Sequence, residues 1–356
     1  MDQQLYRKLV SRQVAPVIGT PVRVVLLLLS WLYGAIVRVR NGLYSRRWLS
    51  VHSVDVPVLC VGNLTTGGTG KTPLVVWLAR LFDRKDLRVA VLTRGYKARQ
   101  GTLSDEPAEL ASACPGAAVI VNADRVAGAD EAVRNHGAQV LLMDDGFQHR
   151  RLARNLDIVA IDATLPFGYG RLLPAGLLRE PLRGLQRAHA VVITRSDQVA
   201  EEQLDRIETR ILQIQPELPI ARAIHAPVGA RCLDGSEIAL EQLKGRNVFA
   251  FCGLGNPNAF LRTIEGCGCV LAGSQAFNDH HDYTSRCLAD IYDKSWSCGA
   301  DLVLTTTKDW SKIVPLIPAE PPLPTAFLAV ELRFGGGDKP LTTLIEQAVA
   351  GTIRNL

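Results

Sequence analysis

From residue 51 onward the chain alternates short, wholly apolar runs with longer stretches of mixed polarity, the order in which open α/β sheets are written. Val56–Val61, Arg88–Leu92, Ala117–Val121, Gln139–Met143, Leu156–Ile161 and Ala190–Ile193 predict strands, and Pro73–Phe82 and Arg125–Asn135 predict helices between them. Right-handed connections of this kind give a largely parallel sheet whose ligands sit at the carboxyl ends of the strands. From Ile220 a second unit is expected. Asn247–Cys252 reads as a strand, Gly253–Asn256 as a turn, Pro257–Glu265 as a helix with Pro257 in its first turn, Ser285–Ser297 as a helix and Asp301–Leu304 as a strand. The proline-dense run PLIPAEPPLPTAF reads as irregular. The expected organisation is a segment 1–50, a first α/β domain 51–220, and a smaller α/β domain with a C-terminal segment 221–356.

The first 50 residues follow a different pattern. VVLLLLSWLYGAIV, Val24–Val37, is continuously apolar but shorter than the roughly 20 residues a spanning helix needs. Arg23 precedes it and Arg38 and Arg40 follow, while Trp31, Tyr33, Tyr44 and Trp48 supply rings suited to the headgroup layer. Eight basic residues stand in this segment against Asp2 alone, more than the net +5 of the whole chain. Basic flanks favour anionic lipid and have no use in a buried core, so the segment reads as a membrane-associating helix lying in one leaflet. Its late start and the lack of a clear cleavage site set it apart from a signal peptide. Positive charge beside an apolar segment, with no interleaved aromatic groove, argues against nucleic-acid binding.

Composition places the rest among folded globular proteins: 356 residues, 47% hydrophobic and 21% charged. The eight cysteines are scattered with no CxxC, and the lone CxC at Cys267 and Cys269 reads as two buried thiols in a reducing compartment.

Chemistry enters at VLCVGNLTTGGTGKT, Val58–Thr72. A buried strand leads into a glycine-rich loop and a helix expected to begin at about Lys71. Gly67, Gly68 and Gly70 allow backbone angles that turn several N–H groups toward an anion, and Thr65, Thr66 and Thr69 complete the loop. Lys71 is placed to reach β- and γ-phosphates, and the Thr72 hydroxyl to ligate Mg²⁺. The first position of the GxxxxGK[ST] pattern is Thr65 instead of glycine.

A second signal is QVLLMDDGFQH, Gln139–His149, a buried strand running into two adjacent acids. Asp144 is the expected Mg²⁺-associated carboxylate, while Asp145, by strand alternation, is expected to face elsewhere and to orient groups nearby. A third is TRGYKARQGTLSDEP, in which Arg94 leaves a strand end toward the phosphates and Asp105 and Glu106 follow on a loop. Gly253-Leu254-Gly255 lacks the third glycine of a dinucleotide fingerprint and reads as a tight turn. The cluster Asp279, His280, His281 and Asp282 lacks the further spaced ligands of a zinc site.

Together the motifs VGNLTTGGTGKTP, LTRGYKA, SDEP, DDGFQHRRL, RLLPAGLLREP, GLGNPNAF, FNDHHDY and TTKD resemble, in this order, the tetraacyldisaccharide 4′-kinases of lipid A biosynthesis. The resemblance runs from the N-terminal apolar segment to about Lys308. It implies a P-loop kinase fold, ATP and Mg²⁺ as cofactors, and phosphorylation of the 4′-hydroxyl of an acylated glucosamine disaccharide 1-phosphate. The expected location is the cytoplasmic face of a bacterial inner membrane, with no obligate protein partner. Position by position it implies that Asp105 is the base, paired with His280, and that Arg179 and Glu180 of LLREP lie on the substrate side. Arg150, Arg151 and Arg171 join Arg179 as candidates for the substrate's 1-phosphate. Ser104 stands where the family usually has glycine, Phe147 where leucine is common, and Thr307 where glutamate is common. Two other readings use the same GGTGKT loop: a membrane-cycling ATPase of the partitioning type, which has no need of SDEP or FNDHHDY, and a ligase, which has no use for the apolar segment.

Overall fold

The computed structural model describes residues 6, 9, 16–95, 105–279 and 281–351. Two compact units emerge, one of Met1–Tyr96, Ala113–Ile224 and Phe334–Leu356, the other of Lys97–Ser112 and His225–Arg333. Residues 97–112, expected in the first domain, group with the second unit, and the C-terminal segment groups with the first.

The first unit opens on helix α1 (Pro16–Ser45). It continues through β1 (Val58–Gly62), α2 (Lys71–Asp83), β2 (Val89–Thr93), α3 (Asp105–Ala113), whose first residues belong to the second unit, and β3 (Ala118–Val121). After these come α4 (Arg125–His136), β4 (Val140–Asp144), β5 (Leu156–Asp162), β6 (Ala190–Thr194) and α5 (Glu201–Leu212). With the start of β7 (Ile220–Cys232) the strands lie in the order β7-β6-β5-β1-β4-β2-β3, and every one of these pairs is parallel. Each expected strand and both expected helices are present, with ends shifted by a residue or two.

The reason is burial on both faces. β1, β2, β4, β5 and β6 are buried at every residue, and each carries an apolar run, interrupted in β5 by Asp157, which pairs with Arg154. One face packs Val58, Cys60, Leu92 and Leu141 against Ala129 and Ala132 of α4. The other packs Val159, Ile161, Val191 and Ile193 against Leu204 and Ile207 of α5. Asp124 caps α4 by accepting from the amides of Val126 and Ala127, and Gly137 closes it at φ 59°.

The second unit contains β8 (Glu237–Ile238), antiparallel to the end of β7, then α6 (Leu240–Leu243), β9 (Asn247–Cys252), α7 (Pro257–Gly266), β10 (Val270–Ala276), α8 (Ser285–Ser297), β11 (Leu302–Thr306), α9 (Thr307–Ile313) and most of β12 (Thr325–Gly336). Its parallel order is β10-β9-β11-β12. Alternation along β9 divides its side chains. Val248, Ala250 and Cys252 pack with Phe260 and Ile264 of α7, and Phe249 and Phe251 pack with Leu288 and Ile291 of α8. The proline-dense run departs from the expectation at its end, because Thr325–Phe327 pair with Val303–Thr305 and form the first residues of β12. The chain closes with α10 (Asp338–Val349), back in the first unit.

Helix α1 has two faces. Val25, Leu28, Trp31, Leu32, Ile36 and Val39 are exposed, Trp31 to 73%. The opposite face docks on the loop 171–180: Ser30 Oγ donates to Leu172 O at 3.0 Å, Tyr33 Oη donates to Arg179 O at 2.7 Å, and Val37 is buried. A Cβ at Gly34 would lie 2.7 Å from Leu172 Cδ1, so the small residue lets the loop approach closely. By length and composition the stretch Thr20–Ser45 is long and apolar enough to cross a membrane, which exceeds the shorter run read from the sequence. The docked face ties three turns of this helix to the protein.

Candidate active site

β1 ends at Gly62, where a Cβ would come within 2.5 Å of Phe147 Cβ, and the chain turns into the loop 63–70. Gly67 at φ 112° and Gly70 at φ 76° hold angles that other residues adopt only under strain, and α2 begins at Lys71 as expected. A Cβ at Gly68 would meet nothing within 4 Å, so the tip of the loop is open.

Three neighbouring strand ends fix the outer side of the loop. Asn63 Nδ2 donates to Thr69 Oγ1 at 2.9 Å, Thr194 Oγ1 donates to Thr69 O at 2.9 Å, and Arg195 Nη1 donates to Gly68 O at 3.0 Å. Arg195 is itself left-handed at φ 53° and paired with Asp162 at 2.5 Å. Thr66 N donates to Leu177 O at 2.8 Å. Engaging carbonyls from outside leaves amides to face inward, which is the geometry an anion cradle needs. Arg195, Thr194 and Asp162 were not singled out from the sequence. Their signal is their place, at the carboxyl ends of β5 and β6, where ligands of parallel sheets collect.

Val61 of β1 is in register with Asp144 at the end of β4, so the strand-end acid stands beside the strand that feeds the loop. Asp144 is buried, near the buried guanidinium of Arg125. Burial pushes Arg125 down, and the carboxylates of Asp144 and Asp145 pull it back up. What turns Asp145 is a backbone change and not strand alternation. β4 stops at Asp144 and Asp145 takes φ 51°, so pleating no longer sets its direction. It turns to Lys71, with Nζ 3.3 Å from Oδ1, and to Arg179, with Nη1 2.9 Å from Oδ2.

Desolvation raises the Asp145 carboxyl, but the charges and hydrogen bonds of Lys71 and Arg179 outweigh it and hold the group well below the usual range. A depressed folded-state pKa contributes stability above the unfolded value of about 3.9, and this is lost as pH falls through the folded value. Asp145→Asn is therefore expected to melt below the parent at neutral pH, by a gap that holds down to about pH 4 and narrows at more acid pH. Thermal melts across pH 2 to 7 check this.

Behind Arg179 lies a buried network. Glu180, expected on the substrate side, is 0% exposed, pairs with Arg187 at 2.8 Å, and accepts from Gln148 Nε2 at 2.9 Å and Asn41 Nδ2 at 3.3 Å. Gln148 also donates to Asn63 O at 2.8 Å, and Arg187 lies 4.6 Å over the Phe147 ring. Glu180 thus faces inward, tying α1, the 171–180 loop and the strand end of β1 together. Breaking a buried pair leaves an uncompensated charge, so Glu180→Ala is expected to cost about 3 kcal/mol in denaturant unfolding.

Arg94 is exposed just after β2, and Arg150 donates to Asn41 O at 2.8 Å and is pushed down to about 10 chiefly by burial. Asp105 is the first residue of α3 instead of a loop residue. Its side chain, and His280 with which it was paired, lie outside the described residues. Asp279 and His281, on either side of His280, belong to the second unit, as does Asp105. Among the described residues no group of three or more His, Cys, Asp or Glu is placed to hold a metal, and all eight cysteines are free. Mg²⁺ needs no such group, since it takes one or two protein oxygens, keeps waters, and shares phosphate oxygens. A hydroxyl at Thr72 and a carboxylate at Asp144 fit that hard, all-oxygen preference.

A parallel sheet with a strand, a glycine loop closing on Gly70-Lys71-Thr72, and an acid at the neighbouring strand end defines a P-loop protein of the phosphoryl-transfer class. The sequence pattern of the tetraacyldisaccharide-1-P 4′-kinase family matches residues 22–350. The tetraacyldisaccharide 4′-kinase of Anaeromyxobacter sp. (strain Fw109-5) is 39% identical over 329 residues, covering 87% of this chain and 88% of the relative. That of Syntrophus aciditrophicus is 37% identical, with 88% and 90% covered. A crystal structure of LpxK from Aquifex aeolicus in complex with ATP superposes with a TM-score of 0.70 at 32% identity, covering 92% of this chain and 99% of that one. The chain belongs to the tetraacyldisaccharide-1-P 4′-kinase family, and it is a lipid A 4′-kinase.

Proposed function

We propose that the enzyme transfers the γ-phosphoryl group of ATP to the 4′-hydroxyl of an acylated glucosamine disaccharide 1-phosphate presented at the cytoplasmic face of the inner membrane. The observation that carries this reading is the ion cluster at the mouth of the glycine loop, in which Asp145 holds Lys71 and Arg179 side by side. Two cations converge where the terminal phosphates of a nucleotide in the loop carry their charge. ATP enters with its phosphates on the amides of Gly67–Thr72, the Thr66 amide being held by Leu177 O, and Lys71 exchanges part of its contact with Asp145 for the phosphates. Thr72 and Asp144 would hold Mg²⁺, which would supply neutralisation of the charge on the phosphates. Asp105 accepts the proton of the sugar hydroxyl, and His280 hydrogen-bonds to Asp105 and tunes its basicity. Arg94 and Arg179 line the acceptor side. The transition state of phosphoryl transfer is loose, so positioning and charge neutralisation contribute more than the base.

The acyl chains keep the acceptor in the bilayer, and the exposed face of α1 supplies the attachment. Trp31→Glu combined with Leu28→Glu changes only exposed positions and is expected to abolish co-sedimentation with anionic vesicles. Use of bilayer-embedded substrate should fall at least tenfold more than use of detergent-dispersed substrate, a difference that kinetics in the two formats measures. Equal loss in both would remove α1 from substrate access. The activity itself is tested by incubating the enzyme with γ-labelled ATP, with and without the lipid disaccharide. Label appearing in the lipid extract supports the kinase, and phosphate release without an acceptor supports an ATPase switch.

A further inference from the structure

The TTKD motif, Thr306–Asp309, has no part in the mechanism above, yet among the described residues its carboxylate is the most deeply placed acid of the second unit. Asp309 is 0% exposed, and two aligned hydrogen bonds engage its Oδ2, from Gly253 N at 2.9 Å and from Thr306 Oγ1 at 2.7 Å. Its Oδ1 lies 3.0 Å from the position a Cβ would take on Gly253, and Tyr283 Oη lies 3.3 Å from the same point. The Tyr283 phenol is pushed well above the tyrosine range, first by burial and then by the charge of Asp309. The turn after β9 that this carboxylate binds thus lies against Asn278 and Tyr283 of FNDHHDY.

Two further contacts of that segment come from the same short helix, α9. Lys308 Nζ donates to Asp279 Oδ1 at 2.9 Å, with both side chains largely buried, and Lys312 Nζ donates to His281 O at 3.0 Å. At the segment's start Phe277 N donates to Cys252 O at 2.9 Å, and its ring stacks on His281 with centroids 4.5 Å apart. The residues on both sides of His280 are thus fastened to α9, one through its side chain and one through its carbonyl. The aromatic residues of the segment, Phe277 and Tyr283, pack into the core with Phe251, so the bonds from α9 fix the part of the segment that lies between them.

We infer that Lys308 and Asp309 are positioning residues that set the FNDHHDY segment, and with it His280, in the geometry the reaction uses. The inference rests on the proposed role of His280. Lys308 is the better handle, because it is not in the core and its loss leaves the Asp309 anchor in place. In detergent-dispersed substrate, Lys308→Met is expected to lower kcat by about 10- to 100-fold, the effect of misplacing a reacting group by about an ångström. KM for ATP should stay close to the parent, the melting temperature should fall because a largely buried Asp279 loses a cation, and Lys308→Arg should recover most of the rate. In a His280→Ala background Lys308→Met should add no further loss, since it acts through that histidine.

A Lys308→Met enzyme with parental kcat would overturn the proposal. So would a loss confined to KM for ATP, or one that multiplies with His280→Ala. His280→Ala by itself separates this proposal from the reading beneath it. Unimpaired turnover there overturns both, whereas impaired turnover beside an unimpaired Lys308→Met overturns the positioning role alone.

Discussion

Replacing Lys71 with alanine is expected to lower phosphoryl transfer by at least about 10²- to 10³-fold, the range observed when one preorganised charge or donor is removed from a reacting oxyanion. The fold should survive. The loop's course is set by Gly67 at φ 112° and Gly70 at φ 76° and by the outer bonds from Asn63, Thr194 and Arg195, none of which involves the lysine side chain. Alanine at the first position of α2 is also a good helix former. Asp145 keeps Arg179 as its partner at 2.9 Å, so no acid is stranded. The expected result is therefore a protein with a near-parental melting temperature, weakened ATP binding by calorimetry, and almost no turnover. Lys71→Arg should fall between the two, since it keeps the charge but presents a planar fork where a compact ammonium sits. Comparable turnover in Lys71→Ala would show that this loop is not the one that handles the transferred phosphate.

The elements around this loop were legible because local pattern and burial agree. Asn247–Cys252 and Ser285–Ser297 match β9 and α8 end to end, the strand because it is apolar from Val248 onward and the helix because Thr284 caps it. The start of α3 also had a local signal, two acids followed by Pro107 in a first turn, which reading Asp105 as a loop acid passed over.

What sequence could not give is set by contacts distant in the chain. Thr325–Phe327 become strand because β11 offers an edge, although prolines crowd the residues before them. Asp145 bends away from its strand because Lys71 and Arg179, respectively 74 positions before and 34 after it, meet there. Glu180 sits beside Arg179 in the motif, and nothing local indicates that one side chain faces the loop mouth while the other is entirely buried with Arg187. Burial of a charged residue depends on finding its partner, and partners are assembled by the fold.

The second large effect concerns Asp105 and His280. Residues 97–112 and 225–333 form one unit, so the two lie in segments that fold together despite their separation in sequence. If His280 acts through Asp105, Asp105→Asn and His280→Ala should each lower kcat by about 10²- to 10⁴-fold, the usual contribution of general acid–base groups, with little change in ATP affinity. The double variant should lose little more than the worse single one, because groups that act as a unit are not additive. Independent roles would give multiplying losses. Titration of the histidine provides a readout free of turnover: a nearby carboxylate should raise its pKa above the unperturbed value of about 6.5, and Asp105→Asn should bring it back down. His281 supplies the internal reference. Its imidazole is pushed below the ordinary value, first by burial and then by Lys312, and it stacks on Phe277, so the two neighbouring histidines should titrate in opposite directions from the same starting point. Multiplying losses together with an unmoved His280 titration would leave Asp105 as a lone base and would make the histidine a structural member of its segment.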